Sequence, residues 1–458
     1  MQSWATAEFS GSDLPDVRFH RSLARNAEAL ASSSGASFSV ACGDDGRQAA
    51  RRLFRHENTT SKGLLKGHLD QTVKRCKDTP LVIAVQDTMV FEQNGHLATE
   101  GLGPITVGSN SRGLMVHSVL AMNADGLPLG VLHLDIWARK PKVTPKRSNY
   151  EVPVTEKESN KWLVALRATA KALPKDQEVL IVSDRESEVF DLLAVRRRST
   201  VNLLIRACHE RRVHADSLDS AETAVLTTLT KAMNETPIAG DLIVDIPRKP
   251  GQSQRQVTLS VQFRTMAILP PKSGIRRKSV KPQRVTVIQV IERSPPEGVA
   301  AISWLLFSTK PVTDLQAACD MVRYYTLRWT IERLHYTLKS GGLNVERLQV
   351  DDVTALKNSL VLYYVVAWRV LYLTYLVRTN PDDPAHNTLT DTEITVLKAV
   401  SKRSLVTLED AVREIAILAG HPRWANSPKP GVKRITQGLT ILNTMTNTWL
   451  IALDQMEM

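Results

Sequence analysis

Three carboxylates stand out by where they fall. Asp87 ends the apolar, β-branched run Leu81 to Gln86, LVIAVQ, and Asp184 ends a second such run, EVLIVSD at 178–184. Short continuous runs of this kind read as buried strands, and ligand chemistry in α/β sheets collects at strand carboxyl ends. Glu332 lies far downstream in YTLRWTIERLHYTLK, residues 325–339. Two strand-end aspartates and a helical glutamate are a donor set for hard divalent cations such as Mg²⁺, which take oxygen ligands. Two such ions can clamp the attacking and leaving oxygens of a phosphodiester displacement without a protein nucleophile. Singly, each aspartate also reads as a turn residue or helix N-cap.

The 325–339 stretch reads as one amphipathic helix. At 100° per residue, Tyr325, Arg328, Glu332 and Lys339 fall within an arc of about 60°. Leu327, Ile331, Leu334 and Leu338 occupy another arc suited to a core. One face thus presents a phenol, two cations and a carboxylate to something anionic, or is simply a solvated face with an i,i+4 Arg/Glu pair. Ser340-Gly341-Gly342 supplies its C-terminal stop.

The elements that must hold these groups follow from patterning. Residues 1–72 read as helical and basic, with Arg18, Arg21, Arg25, Arg47, Arg51, Arg52 and Arg55 among Ala and Leu, either a small DNA-binding unit or ordinary surface helices. MVHSVLAM and LPLGVLHLDIW flank Asn123-Ala124-Asp125-Gly126, a hairpin signal, and with the LVIAVQ strand imply three antiparallel strands. RKPKVTPKR, 139–147, has five basic residues and no acid and reads as an exposed, phosphate-suited loop. A helix is expected over 159–173, another from about Ser187 to Arg198, and a strand at 200–207. From about 210 to 310 the segments turn β-like, around a second basic loop, PPKSGIRRKSVKPQR. This predicts an all-β insertion ending in ISWLLFSTKPV, with Thr313 and Gln316 as a capping box for the next helix. The result is an α/β catalytic domain over 73–345, between a helical N-terminal domain (1–72) and a helical C-terminal domain (346–458).

Composition narrows the class. The chain has 458 residues, 43% of them hydrophobic, and a formal net charge of +12. With a pI near 9.5, a polyanionic partner such as nucleic acid is the natural expectation. Four cysteines without a CxxC pair exclude a disulfide framework or zinc ribbon and fit a reduced, cytosolic compartment. The N-terminus lacks the charged-then-apolar pattern of a signal peptide. Leu360 to Val377 is long and apolar enough to question, but Arg369 near its middle would cost about 2.5–3.5 kcal/mol in a bilayer, so a buried core helix is expected.

The spacing Tyr325-x2-Arg328-x3-Glu332-x6-Lys339 resembles the signature of the DDE transposases similar to that of bacterial transposon five, the insertion-sequence-four family. The strand before Asp87-Thr88, Ser183-Asp184-Arg185-Glu186, Glu156-Lys157-Glu158-Ser159 before Lys161-Trp162, and WLLFSTKPV agree, so the resemblance covers about residues 45–375. It implies a ribonuclease-H-like core with a β-insertion, an end-binding N-terminal domain and a C-terminal domain that pairs subunits. It further implies Asp87, Asp184 and Glu332 as catalytic metal ligands for two Mg²⁺, with Mn²⁺ able to substitute. Tyr325, Arg328 and Lys339 would contact the cleaved strand, Trp304 would stack on a flipped base, or serve as a core tryptophan on its strand, and Arg52, Arg206 and His335 would also meet DNA. The implied partners are double-stranded transposon ends, target DNA and a second copy of the chain in a synaptic homodimer, in the nucleoid of a bacterial cytoplasm. No membrane and no small-molecule substrate are implied. Ser187-Glu188 departs from the family's common Ala-Asp, and Tyr336 replaces a common basic residue. The implied activity is cut-and-paste transposition through a hairpin. Against it stand a catalytically silent DNA-binding regulator and a ribonuclease-H-like nuclease that never joins strands.

Overall fold

The computed structural model describes residues 3–33, 35–94, 99–106, 110–140, 152–215, 225–246, 254–272, 280–424 and 427–456. The basic loop at 139–147 and the second at 270–284 fall partly outside them. In chain order the elements are α1 (Trp4–Phe9), α2 (Val17–Ala31), α3 (Phe38–Phe54), α4 (Ser61–Lys77), β1 (Leu81–Glu92), β2 (Gly103–Pro104), β3 (Arg112–Met122), β4 (Pro128–Trp137), α5 (Asn160–Ala172), β5 (Glu178–Ser183), α6 (Phe190–Ala194), β6 (Val201–Arg206), β7 (Arg212–Ala215), β8 (Val225–Thr228), α7 (Leu229–Asn234), β9 (Gly240–Ile246), β10 (Arg255–Ile268), β11 (Gln283–Glu292), β12 (Ser303–Ser308), α8 (Leu315–Thr326), α9 (Trp329–Lys339), α10 (Val353–Thr379), α11 (Asp391–Ser401), α12 (Leu408–Leu418) and α13 (Val432–Met456).

These elements gather into two compact units. The first holds Met1–Thr79, Thr88–Pro141 and Thr330–Met458; the second holds Pro80–Asp87 and Lys142–Trp329. Both helical ends of the chain therefore belong to one unit, although the sequence separates them by nearly three hundred residues. The reason is α10. It is apolar on every side, with Leu360 to Trp368 at most 2% exposed, and such a helix must be covered all round. α2, α3, α4 and α13 pack on it, as does β4. Arg369, the one cation in its middle, donates to the Thr388 carbonyl (2.9 Å) and faces the rings of Trp4 and Tyr372.

In the second unit β1, β5 and β6 are parallel neighbours. From β6 the sheet continues antiparallel through β12, β11, β10, β7 and β8, with β9 also on β10. The strands of the expected β-insertion thus extend the sheet that carries the aspartates, and among the described residues the short α7 interrupts their β character. Val82 to Val85 are wholly buried, whereas β9 alternates exposed and buried positions. A continuous apolar run marks a strand covered on both faces, and alternation marks one covered on one face. The helix expected from Ser187 to Arg198 shrinks to α6, because Asp184 first caps a 3-10 turn over Arg185–Ser187.

Candidate active site

The aspartates are brought together by register. β1 and β5 pair Val85 with Val182, and continuing that ladder by two residues sets Asp87 level with Asp184. Asp184 follows the last residue of β5. Asp87, expected at a strand end, instead lies inside β1, which runs on to Glu92 because the alternation of buried and part-buried side chains continues through Met89 and Phe91. Adjacent strands lie about 4.8 Å apart, so this register makes the two residues neighbours across the β1–β5 pair. Both residues are half-buried. Asp184 also fills the plainer role open to it in the sequence: its Oδ1 accepts from the Glu186 amide (3.0 Å). Its carbonyl accepts from Ser187 Oγ (2.7 Å), which in turn meets Ser183 Oγ at 2.6 Å. Burial raises the Asp184 carboxyl, the Glu186 charge adds to this, and the Glu186 amide and the charges of Arg328 and Lys161 oppose it. A buried, destabilised carboxylate beside a second one is a donor pair that a hard cation would stabilise.

Lys161 was quoted in the sequence only as part of a motif, yet it is a neighbour of this pair. It projects from α5 with its side chain 8% exposed, and its ammonium lies 3.4 Å from Glu186 and 3.9 Å from Glu158. Its stem crosses the Trp162 ring, and Trp162 is 1% exposed. The motif's tryptophan therefore anchors α5 while its lysine reaches the strand end.

The stretch predicted as one helix is two. α8 ends at Thr326 and α9 begins at Trp329, with Leu327 and Arg328 in a tightened turn. The Leu327 and Arg328 amides donate to the Tyr324 and Tyr325 carbonyls three residues back (3.2 and 3.1 Å). Thr326 contributes to the break: its hydroxyl donates to the Arg323 carbonyl (2.7 Å), an acceptor the helical ladder also uses. Residues three apart eclipse in such a turn, which stacks the Arg328 guanidinium over the Tyr325 ring at 5.9 Å. The start of α8 also differs from expectation. Asp314, not Thr313, is its cap and accepts from the Ala317 amide (2.8 Å), since a carboxylate outcompetes the hydroxyl beside it.

Tyr325 is buried rather than presented: it is 2% exposed, and its hydroxyl is buried with no hydrogen-bond partner. Its ring meets Trp304 edge-on at 5.5 Å, and Trp304 meets Trp329 at 5.9 Å. Trp304 itself, on β12, is 7% exposed. Arg206, half-buried at the end of β6, donates to the Ser303 carbonyl at 3.4 Å.

Glu332, His335 and Lys339 lie on the part of α9 that belongs to the first unit, whereas the aspartates belong to the second. Glu332 is exposed and Ile331, Leu334 and Leu338 are fully buried, the two-faced pattern read from the sequence. Lys339 pairs with Glu346 (2.7 Å), whose carboxylate also accepts from the Glu92 amide (3.0 Å). His335, by default a surface histidine, is instead packed: Nε2 lies 3.3 Å from Ser118 Oγ and the ring abuts Tyr364. Burial, with the Lys339 charge adding, pushes its imidazole down to about 3, so at neutral pH it carries no charge. Tyr336 is exposed.

In the first unit, α3 changes direction at Gly43, whose φ of 65° is one that L side chains rarely adopt. Beyond that kink Arg47, Arg51, Arg52 and Arg55 are exposed. With Arg347 they line a cleft of about 990 Å³, in which Arg55 is paired to Asp351. A concave surface of arginines is suited to a phosphate backbone.

The first 59 residues, which include Arg47, Arg51, Arg52 and Arg55, match a family model described as transposase DNA-binding. Among solved structures, the chain is similar to piggyBac transposase, determined by cryo-electron microscopy as a synaptic complex with hairpin DNA. The identity is 9% and the TM-score 0.33, over 89% of this chain. The chain spans 61% of that protein's length.

Proposed function

We propose that the protein is a cut-and-paste DNA transposase of the DDE type, similar to the transposon-five group, with a ribonuclease-H-like catalytic core. The observation that carries this reading is the parallel register of β1 and β5, which sets Asp87, within β1, level with Asp184, the residue just past the end of β5. The N-terminal match to a transposase DNA-binding family supplies the substrate class.

In this reading Asp87, Asp184 and Glu332 hold two Mg²⁺, with Mn²⁺ as substitute; Glu332 is assigned by the sequence spacing. When bound, the ions provide an activated water or 3′-hydroxyl and neutralise the leaving oxygen. The side chains do the rest. Arg328 and Lys161, whose charges act on Asp184, fix the scissile phosphate, and Lys339 holds a neighbouring one. The Tyr325 hydroxyl has a bond to give to a phosphate oxygen. Trp304 serves a base displaced during hairpin formation. The α3 arginines grip the transposon end, a second copy of the chain completes the synapse, and the protein works in the bacterial nucleoid.

The test is cleavage of end DNA in Mg²⁺ by the wild type and by Glu332→Ala. The variant is expected to bind the end normally and produce no nick; nicking at the wild-type rate would remove Glu332 from the site. A two-DNA assay separates the alternatives. Joined product identifies a transposase, cuts alone a nuclease, and binding without Mg²⁺-dependent cuts a regulator.

A further inference from the structure

The turn that follows Asp184 carries a second set of ligand atoms, unlike the first in chemistry. Glu188, Cys208 and His209 are the described residues whose donor atoms cluster as three within 4.8 Å of one another. His209 Nδ1 lies 3.0 Å from Glu188 Oε2 and 3.3 Å from Cys208 Sγ. Ligands at 2.0–2.3 Å around a tetrahedral ion stand about 3.3–3.6 Å apart, so the two pairs that share His209 Nδ1 need to open by only a few tenths of an ångström.

The set is also built. The Glu188 side chain is fully buried. Its Oε1 accepts from Arg211 Nε (2.7 Å), and its backbone carbonyl accepts from the same guanidinium (3.0 Å). The amides of Cys208 and His209 both donate to Oε2. A carboxylate held on one oxygen by an arginine and turned toward a cysteine and a histidine with the other is the arrangement outer-shell partners impose on a metal ligand. Cys208 and His209 are exposed, which leaves an approach from solvent and a fourth position for water.

We propose that Glu188 Oε2, Cys208 Sγ and His209 Nδ1 bind one divalent ion of the zinc class, at a site separate from the Asp87/Asp184 pair. A thiolate and an imidazole select a borderline-soft ion over Mg²⁺. Binding releases the Cys208 thiol proton to solvent and requires the neutral His209 tautomer with its proton on Nε2. The site ties the β6–β7 connection to the turn after Asp184, because Cys208 Sγ already lies 3.7 Å from the Arg185 carbonyl. The ion is therefore a clamp on the segment that carries Asp184.

The experiment is a cobalt titration of the full chain after stripping with chelator. The expected result is a thiolate-to-cobalt charge-transfer band that saturates at one ion per chain, is bleached by zinc and is unmoved by excess Mg²⁺. Cys208→Ser should abolish the band, and His209→Ala should weaken cobalt binding at least tenfold; both side chains are exposed, so folding is preserved. Zinc should also protect Cys208 from alkylation, read by mass spectrometry, with the buried Cys76 and Cys319 as internal references. No band in the wild type, an equal band in Cys208→Ser, or alkylation of Cys208 indifferent to zinc would each overturn the assignment.

Discussion

Replacing Glu8 by glutamine should cost about 3 kcal/mol of stability, and the figure follows from the side chain's surroundings. Glu8 is 5% exposed on α1. Arg75 of α4 donates to its Oε1 (2.6 Å) and Oε2 (3.2 Å), and His68 Nδ1 lies 2.6 Å from Oε2. The Val131 amide donates to His68 Nε2 (2.9 Å), so the proton sits on Nδ1 and the imidazole bonds to Glu8 while neutral. Burial, the largest influence on each, holds His68 below its ordinary value and acts to raise Glu8. The hydrogen bond from His68 and the bonds and charge of Arg75 together outweigh burial at Glu8 and hold its carboxyl at about 2, against an ordinary 4.5. At about 1.4 kcal/mol per pH unit that gap corresponds to about 3 kcal/mol. A depressed carboxylate contributes fully above its unfolded value, 4.5, and loses its contribution as pH falls through about 2. His68 acts earlier: the unfolded chain takes up its proton below about 6.5, and the buried ring resists it. Thermal denaturation of Glu8→Gln at pH 7 should therefore show a Tm lower by about 6 °C, at about 2 °C per kcal/mol for a protein of this size. The wild type's loss of stability between pH 4.5 and 2 should flatten in the variant. A Tm within about 1 °C of wild type would refute the reasoning, because an ion pair this enclosed cannot be broken without cost.

Other consequences are as direct. Trp304→Ala should destabilise the second unit by about 3–5 kcal/mol, measured by denaturant titration, whereas Trp304→Phe should keep most of the edge-on contact; an alanine variant as stable as wild type would show that the aromatic cluster carries no packing energy. Arg52→Ala should weaken binding to end DNA evenly across sequences and reduce the slope of log affinity against log salt by about 1, as loss of one phosphate contact requires. Lys161→Met should slow nicking while binding persists. Because the Lys161 charge lowers the raised Asp184 carboxyl, its removal should also move the acid limb of the pH–rate profile to higher pH. An acid limb that stays in place would separate Lys161 from Asp184.

What the sequence disclosed follows the range of the forces involved. The strands that carry Asp87 and lead into Asp184 were legible because a run such as LVIAVQ has few alternatives once buried, although β1 continues past Asp87 to Glu92. The capping box of Thr390 and Glu393 that starts α11 is an equally local signal, in a segment expected only as part of a helical domain over 346–458. Register was not legible, since the pairing of Val85 with Val182 joins segments nearly a hundred residues apart. The break at Leu327 escaped because helical periodicity looks the same whether Thr326 points to solvent or back-bonds its own helix. Tyr325 was assigned to an exposed arc for a related reason. Periodicity sorts residues into faces but does not say which face meets a strand, here β12 with Trp304. His335 fails the same way, its surroundings being set by Ser118 and Tyr364, both distant in sequence.

Arg328 joins what the sequence kept apart. Its guanidinium lies over the Tyr325 ring, which packs on Trp304, and its charge acts on Asp184. One cation thus serves an aromatic cluster and a carboxylate together. A phosphate that draws Arg328 away from Tyr325 uncovers a face of that ring and at the same time withdraws positive charge from Asp184, which raises its carboxyl further unless a cation replaces the lost charge. Under the proposed function, DNA contact at Arg328 and cation binding at Asp184 are therefore coupled and must favour each other. The coupling needs only one guanidinium to move, which is why the tightened turn holding Arg328 eclipsed on Tyr325 has more bearing on the site than a continuous helix would.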